Sequence, residues 1–600
     1  MRVVDYIAKT VKGHSDTIYM VTGGGAMHLN DAFGLSGIKI VFCHHEQACS
    51  MAAEAHARVT NKIQFVNVTT GPGGINALNG VFGAWTDSIP MLVISGQVKR
   101  ETIVGTYGDE GGWRQLGDQE ADIINMVKGI TKYAVRVDNP KDIKYHLEKA
   151  IFLAQSGRPG PCWIDVPIDV QATPIDELEL NGFIYNKINS TDSGELNQTN
   201  IFNLLSLIKK SKRPVLYIGT GVHLSNTKNE VIKIAELLGI PIVTAWNSND
   251  LIPDNHPLYV GRPGIIGNRS GNFVVQNSDL VIVLGSRLNL RLVSYNWKSF
   301  APKAIKVGVD IDEKELNKPT CQFDLKIVMD LREFVPFMSK CISEDTELSK
   351  SEFKEWVAWG KERLAKYPVC LPEYWNKTTD VNPYCFVDEL SKFTKEGDII
   401  VCADGTACVT TFQAIHIKKN QRVFHNSGCA SMGYELPAAI GAYFADTSAS
   451  RIICLAGDGS IMMNLQELQT ISGNDLPIQI FILNNQGYHS IRQTQHNFFK
   501  ENIVGCGIES GLTFPSFEKM ATAFDFPYYK ISNHVELKNK LGDILSHEGQ
   551  FICELMLDLD QQFSPKLSSK KLEDGSMITS PLEDMWPFLS PDELKTNMIS

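Results

Sequence analysis

Two oxygen-bearing residues, Asp458 and Asn485, stand where a metal ion shared with a phosphate would need them. The first lies in Gly457-Asp458-Gly459-Ser460 and the second in Asn484-Asn485-Gln486-Gly487. Each follows an apolar run, Ile452 to Leu455 and Ile478 to Leu483, that reads as a buried strand, and the segment between reads as helical. A βαβ unit puts both motifs at the carboxyl ends of neighbouring parallel strands, the rim where open α/β sheets bind ligands. The glycines let backbone approach a phosphate, and a helix beginning near Ser460 points free N–H groups at it. Asp and Asn oxygens with a backbone carbonyl suit Mg²⁺, which keeps octahedral geometry and shares phosphate oxygens. The stretch asks for a diphosphate with magnesium.

A second candidate is Glu46, in His44-His45-Glu46-Gln47, between the second strand and a helix over Ala48–Arg58. The zinc pattern His-Glu-x-x-His is excluded, because Cys49 stands where the second histidine would be. A glutamate at a strand end facing a crevice can transfer protons. It can equally be a first-turn carboxylate favoured by the helix dipole. The local residues leave both readings open.

The elements that position these residues fall into three segments of alternating strands and helices, each predicting βαβ units and a parallel sheet. Segment 1–172 has strands at Thr17–Val21, Ile38–Cys43, Ile63–Val68, Met91–Ser95 and Cys162–Val166. Its first strand runs into Gly23-Gly24-Gly25 and its third into Thr70-Gly71-Pro72-Gly73-Gly74. Neither is a full dinucleotide fingerprint. A linker of Asn, Ser, Thr and acidic residues leads to segment 195–340, with strands at Pro214–Gly219, Ile242–Ala245, Leu280–Leu284 and Ile305–Val309. Gly219-Thr220-Gly221, Gly285-Ser286-Arg287 and Asp310-Ile311-Asp312 cluster at these strand ends. They suit a second, nucleotide-like ligand or the turns of a spacer domain. A charged stretch leads to segment 372–562, with strands at Ile399–Cys402, Ile452–Leu455, Ile478–Leu483 and Phe551–Met556. The tail 563–600 carries Met585-Trp586-Pro587-Phe588 and is expected to pack on the body. The fold class is therefore α/β, with three doubly wound parallel-sheet domains, the central one nucleotide-binding-like and the third diphosphate-binding.

Composition narrows the partners. A formal charge of −11 without basic runs argues against nucleic acid and acidic membrane surfaces, leaving small molecules. Thirteen cysteines without a Cys-x-x-Cys pair read as reduced thiols of a cytoplasmic protein. The sequence shows no signal peptide and no apolar run long enough to span a membrane.

The Gly-Asp-Gly and Asn-Asn pair resembles the thiamine diphosphate motif. Together with His45-Glu46-Gln47, Ala52 to Arg58, Thr70-Gly71-Pro72-Gly73, Ile89-Pro90-Met91 and Gly96-Gln97-Val98, it resembles the acetolactate synthase family, over positions 1 to about 560 in order. The resemblance implies thiamine diphosphate and Mg²⁺ as cofactors, with Asp458, the Asn485 side chain and the Gly487 carbonyl on the metal. It implies that the first domain, 1–172, is pyrimidine-binding, with Glu46 as the catalytic residue that protonates the pyrimidine and so drives formation of the C2 ylid. Met432, in Ser431-Met432-Gly433, would hold the cofactor bent; an unbranched thioether fills such a space. Gly24, Gly71, Pro72, Gly405, Thr406, Ser431, Gly457, Gly459, Ser460 and Tyr488 complete the expected cofactor site. Gly261-Arg262-Pro263-Gly264, Leu284-Gly285-Ser286-Arg287 and Val309-Asp310-Ile311-Asp312 resemble the family's FAD-binding stretches, although Leu288-Asn289 replaces its acidic pair, and Gly219, Gly221, Arg287, Asp310 and Asp312 are the expected FAD contacts. An active site shared between two subunits is implied, hence a homodimer at least, with a tetramer as a larger state.

Two departures concern the substrate. Gln493-Thr494-Gln495 stands where the family has a tryptophan between glutamines, and Gly117-Asp118-Gln119-Glu120 where it has Phe before Gln-Glu, after an insertion-like Gly108–Gln115. Replacing an indole by threonine vacates apolar volume and adds a hydroxyl. The expected activity is decarboxylation of a 2-oxo acid such as pyruvate and transfer of the two-carbon unit to a carbonyl acceptor larger or more polar than pyruvate. The tail from Pro581 to Leu589 resembles surface-polysaccharide members of the family, which points to a nucleotide-linked keto sugar. The alternatives are acetolactate synthesis proper, a non-ligating decarboxylase or C–C lyase, and an inactive cofactor-binding regulator.

Overall fold

The computed structural model describes residues 1–107, 112–184, 194–345, 347–348, 353–446, 449, 451–499, 502–571 and 574–599. Part of the insertion-like Gly108–Gln115 lies outside these residues, as does part of the linker after residue 184.

Three six-stranded sheets, all parallel, form the body. The first contains β1 (Thr17–Met20), β2 (Lys39–Phe42), β3 (Gln64–Val68), β4 (Met91–Gln97), β5 (Tyr133–Arg136) and β6 (Pro161–Pro167). The second contains β7 (Pro214–Ile218), β8 (Ile242–Thr244), β9 (Tyr259–Gly261), β10 (Leu280–Leu284), β11 (Ile305–Asp310) and β12 (Leu325–Val328). The third contains β13 (Ile399–Cys402), β14 (Arg422–Phe424), β15 (Ile452–Gly457), β16 (Ile478–Asn484), β17 (Tyr528–Ile531) and β18 (Phe551–Met556). The central strands are continuous apolar runs because helices cover both faces of a parallel sheet.

Five of these strands, β5, β9, β12, β14 and β17, were not expected from the sequence, and every one lies at a sheet edge. An edge strand has one neighbour, so its residues need less apolar character; all four residues of β5 are only half-buried.

The first and third sheets share one strand order, β2-β1-β3-β4-β6-β5 and β14-β13-β15-β16-β18-β17. The order reverses between β1 and β3 and between β13 and β15, and such a switch point opens a crevice at the carboxyl ends. In the third sheet the crevice therefore lies between the ends of β13 and β15, one strand over from the pair that the two motifs mark. The second sheet, β12-β11-β10-β7-β8-β9, reverses between β7 and β10.

First and third domains share a core through helix Glu46–Thr60 and helix Glu435–Ala445. The helices cross closely, since a Cβ on Gly441 would lie 2.0 Å from the Ala52 carbonyl oxygen. The tail lies on helix Arg269–Asn277 of the middle domain: Asn272 Nδ2 donates to Leu582 O at 2.9 Å and Asn277 Nδ2 to Asn597 O at 2.9 Å. Leu582 and Met585 are buried there.

Candidate active site

The diphosphate-side residues converge at the rim of the third sheet. Asp458 follows β15 and opens a single helical turn, Asp458–Ile461. Its Oδ1 accepts from Gly459 N at 2.8 Å and its Oδ2 from Gly487 N at 2.9 Å. The second bond joins the two halves of the motif across the rim. Burial pushes the Asp458 carboxyl up to about 6, against the lowering effect of the Gly487 and Gly459 donors. Asn485 is buried beside it, and Arg492 Nη1 donates to its carbonyl at 3.2 Å. Gly487 has φ +135°, and a Cβ there would lie 1.7 Å from Cys506 O, so no other residue fits. Gly459 is covered by the Tyr488 ring, which a Cβ would meet at 2.2 Å.

Across the switch point, Gly405 adopts φ +80° and starts helix Thr406–Ala414. Thr406 is buried and its Oγ1 has no protein partner. Ser431 and Met432 are half-buried in the turn before Gly433. Ser460 Oγ accepts from Gly433 N at 2.8 Å and donates to Glu435 Oε2 at 2.8 Å. That hydroxyl is thus committed within the protein, and the contribution of Ser460 to an anion falls to its backbone.

A second cluster forms at the rim of the first sheet. Glu46 is the first residue of helix Glu46–Thr60, whose N-cap is His45, with Nδ1 accepting from Gln47 N at 3.0 Å. Its Oε2 accepts from Asn76 Nδ2 at 2.9 Å, and its Oε1 is the group a Cβ on Gly73 would approach at 3.5 Å. Gly71 has φ +62° and caps helix Pro72–Asp87 with Pro72 at its first position. A Cβ on Gly71 would lie 2.2 Å from the carbonyl oxygen of Gln119, itself at φ +64°. Gly24 lies in the turn after β1 with open space where a Cβ would stand, while its neighbours Gly23 and Gly25 pack against Thr69 and Thr70. Among the described residues, no hydrogen bond joins this cluster to the one around Asp458.

The third group lines a cavity of about 600 Å³ between the domains. Gly221, Arg287 and Asp310 line it, and Arg287 Nη1 also donates to Thr86 O at 2.7 Å. Burial raises the Asp310 carboxyl to about 6. Gly219 instead packs under Gly285, and Asp312 pairs with Arg158 at 3.0 Å. The sequence reading missed further lining residues: Thr86 and Asp87, Trp246 and Asn247, and Arg291. They come from three separate segments, so no local spacing reveals them. It also missed Asp404, in the turn between β13 and Gly405, where burial raises the carboxyl to about 6.

No helix among the described residues is long and apolar enough to cross a membrane.

This geometry fits thiamine diphosphate: a rim of strained glycines, a buried carboxylate beside an asparagine, and an unpartnered hydroxyl at a helix start. Family models match in three consecutive stretches. They are the N-terminal TPP binding domain of thiamine pyrophosphate enzymes over residues 1–125, their central domain over 201–338, and their C-terminal TPP binding domain over 404–555. The chain is 31% identical to the acetolactate synthase large subunit of Buchnera aphidicola, over 95% of each chain. It is 30% identical to acetolactate synthase 3, chloroplastic, of Brassica napus, over 92% of this chain and 83% of that one. It is 29% identical to the large subunit from Lactococcus lactis, over 92% of each. With the motif halves closed on one another and the match running through all three domains, the chain belongs to the acetolactate synthase-like, thiamine diphosphate-dependent enzymes.

Proposed function

We propose that this enzyme is a magnesium-dependent carboligase that decarboxylates a 2-oxo acid, most simply pyruvate. It transfers the two-carbon unit to a carbonyl acceptor larger or more polar than pyruvate, of the class of a nucleotide-linked keto sugar. The observation that carries the acceptor reading is Thr494 on helix His489–Phe499, directly after the cofactor motif. Thr494 is exposed, and its Oγ1 donates to Ser490 O one turn back at 2.9 Å, so hydroxyls rather than an indole stand at this position. Ser490 Oγ lies 4.0 Å from where a Cβ on Gly405 would be, which sets this helical face over the rim.

Asp458, the Asn485 side chain and the Gly487 carbonyl would hold Mg²⁺, and the start of helix Thr406–Ala414 would receive the diphosphate. When bound, the cofactor supplies the electron sink for loss of CO₂. Glu46 would be the proton partner on the pyrimidine side, and Met432 would support the bound cofactor. As the family resemblance implies, two copies of the chain would complete each site. FAD suits the cavity, where Arg287 and Arg291 offer phosphate partners and Ser286 Oγ and Trp246 Nε1 are buried without partners.

The test incubates the enzyme with thiamine diphosphate, Mg²⁺, pyruvate and a panel of acceptors: pyruvate alone, simple hydroxyketones and nucleotide-linked keto sugars. Mass spectrometry should find a two-carbon branched product from a keto sugar in preference to acetolactate. Free acetaldehyde with no ligated product across the panel overturns the reading.

A further inference from the structure

The turn that closes the metal motif is held from outside by a side chain that belongs to no motif. Arg492 lies on helix His489–Phe499 and is half-buried. Its guanidinium forms no ion pair among the described residues and donates instead to main-chain carbonyls. Nη1 donates to Asn485 O at 3.2 Å, and Nη2 donates to Gln486 O at 2.8 Å and to Cys506 O at 3.3 Å. The planar fork reaches two segments of chain at once, which a single ammonium does not.

These bonds sort the carbonyls of the turn. Asn484 O accepts from Leu557 N at 3.0 Å, and Tyr488 O accepts from Arg492 N at 2.9 Å. Asn485 O and Gln486 O face the Arg492 side chain. Of the five carbonyls from Asn484 to Tyr488, only that of Gly487 accepts no hydrogen bond among the described residues. It is the carbonyl expected on the metal, and the Gly487 N–H is meanwhile fixed to Asp458 Oδ2.

The same helix holds the segment that covers the turn. Gln495, three positions after Arg492, exchanges two bonds with Val504: its Nε2 donates to Val504 O at 3.1 Å and its Oε1 accepts from Val504 N at 2.7 Å. Cys506 O accepts from Tyr488 N at 2.9 Å as well as from Arg492. A Cβ on Gly507 would lie 3.0 Å from Arg492 Nη2, so the guanidinium is packed between the turn and its cover.

We propose that Arg492 is a positioning residue for the metal: by occupying the neighbouring carbonyls it leaves the Gly487 carbonyl as the ligand, and it fixes the backbone from which the Asn485 side chain reaches the ion beside Asp458. Mg²⁺ demands near-octahedral geometry, so a misdirected carbonyl is a lost ligand. Groups that orient metal ligands commonly contribute about 10–100-fold in affinity. The assignment rests on the magnesium reading for its purpose, but the hold on the turn can be measured without metal.

Two measurements on the full-length protein test it. In the cofactor-free protein, Arg492→Met should speed amide hydrogen exchange in the peptide spanning 485–488 by about tenfold or more, read by mass spectrometry. In titration calorimetry with thiamine diphosphate, Arg492→Met should weaken binding in saturating Mg²⁺ by about tenfold or more. Binding in saturating Ca²⁺ should weaken less, because Ca²⁺ tolerates more varied geometry, whereas a general loss of structure would lower both equally. Arg492→Lys should recover little of the Mg²⁺ affinity. Unchanged exchange, equal losses with the two ions, or full recovery by Arg492→Lys overturn the proposal. If the wild type binds thiamine diphosphate equally well in a chelator, the magnesium reading falls instead, and the exchange rates alone decide whether Arg492 orders the turn.

Discussion

Tyr434 Oη donates a 2.6 Å hydrogen bond to Glu54 Oε2, fastening the turn that carries Met432 to the helix that begins with Glu46. Both residues are buried. The phenol and the carboxylate lie 380 positions apart, yet they tie the two cofactor-binding domains together two residues from the cofactor's expected support. Removing the donor leaves a buried carboxylate oxygen short of a partner, which costs about 1–3 kcal/mol. Tyr434→Phe is expected to lower the denaturation midpoint accordingly, and an unchanged midpoint would show that the bond is dispensable.

Arg58 completes this junction. Its guanidinium pairs with Glu54 and, at 2.7 Å, with Asp87, while Asn247 of the middle domain donates to Asp87 at 3.0 Å. The side chains of Arg58, Glu54 and Asp87 are 5%, 1% and 7% exposed, so screening by solvent is slight. Arg58→Met strands two buried carboxylates and should destabilise the fold by about 3–5 kcal/mol. Arg58→Lys should recover little, because a single ammonium lacks the fork that reaches both partners. Urea unfolding of the two variants checks the order.

Asp165 gives the stability a pH dependence. It is 1% exposed and accepts from Ser95 Oγ at 2.6 Å and Gln97 Nε2 at 3.0 Å, yet burial outweighs these bonds and raises it to about 7. A carboxyl raised in the fold binds a proton that the unfolded chain has already released, so its contribution to stability is lost as pH rises from about 4 through 7. Asp165→Asn should flatten the fall in melting temperature over that window, and an identical slope in both proteins would contradict the assignment.

The metal and proton roles separate by measurement. Asp458→Ala should weaken magnesium-dependent binding of thiamine diphosphate by about tenfold or more, as expected for loss of a charged ligand. Titration calorimetry with and without a chelator reads this directly. Glu46→Gln should leave that affinity unchanged and lower turnover by about 10²–10⁴-fold. Unchanged turnover would remove Glu46 from the proton step.

The sequence by itself determined the α/β class, the central strands of all three sheets and the two motifs that meet at Asp458. These features are local: a buried parallel strand is a continuous apolar run, and a ligand-binding turn needs glycine where φ is positive, as at Gly405 and Gly487. The five further strands escaped because an edge strand, paired on one side only, need not be apolar. Only the tertiary structure decided which residues share a space. The cavity draws Thr86, Trp246, Arg287 and Arg291 from separate segments of two domains, and Glu435, buried on one helix, feels the charge of Asp404 from another element. Their environments are sums over distant neighbours, and no spacing along the chain encodes such a sum.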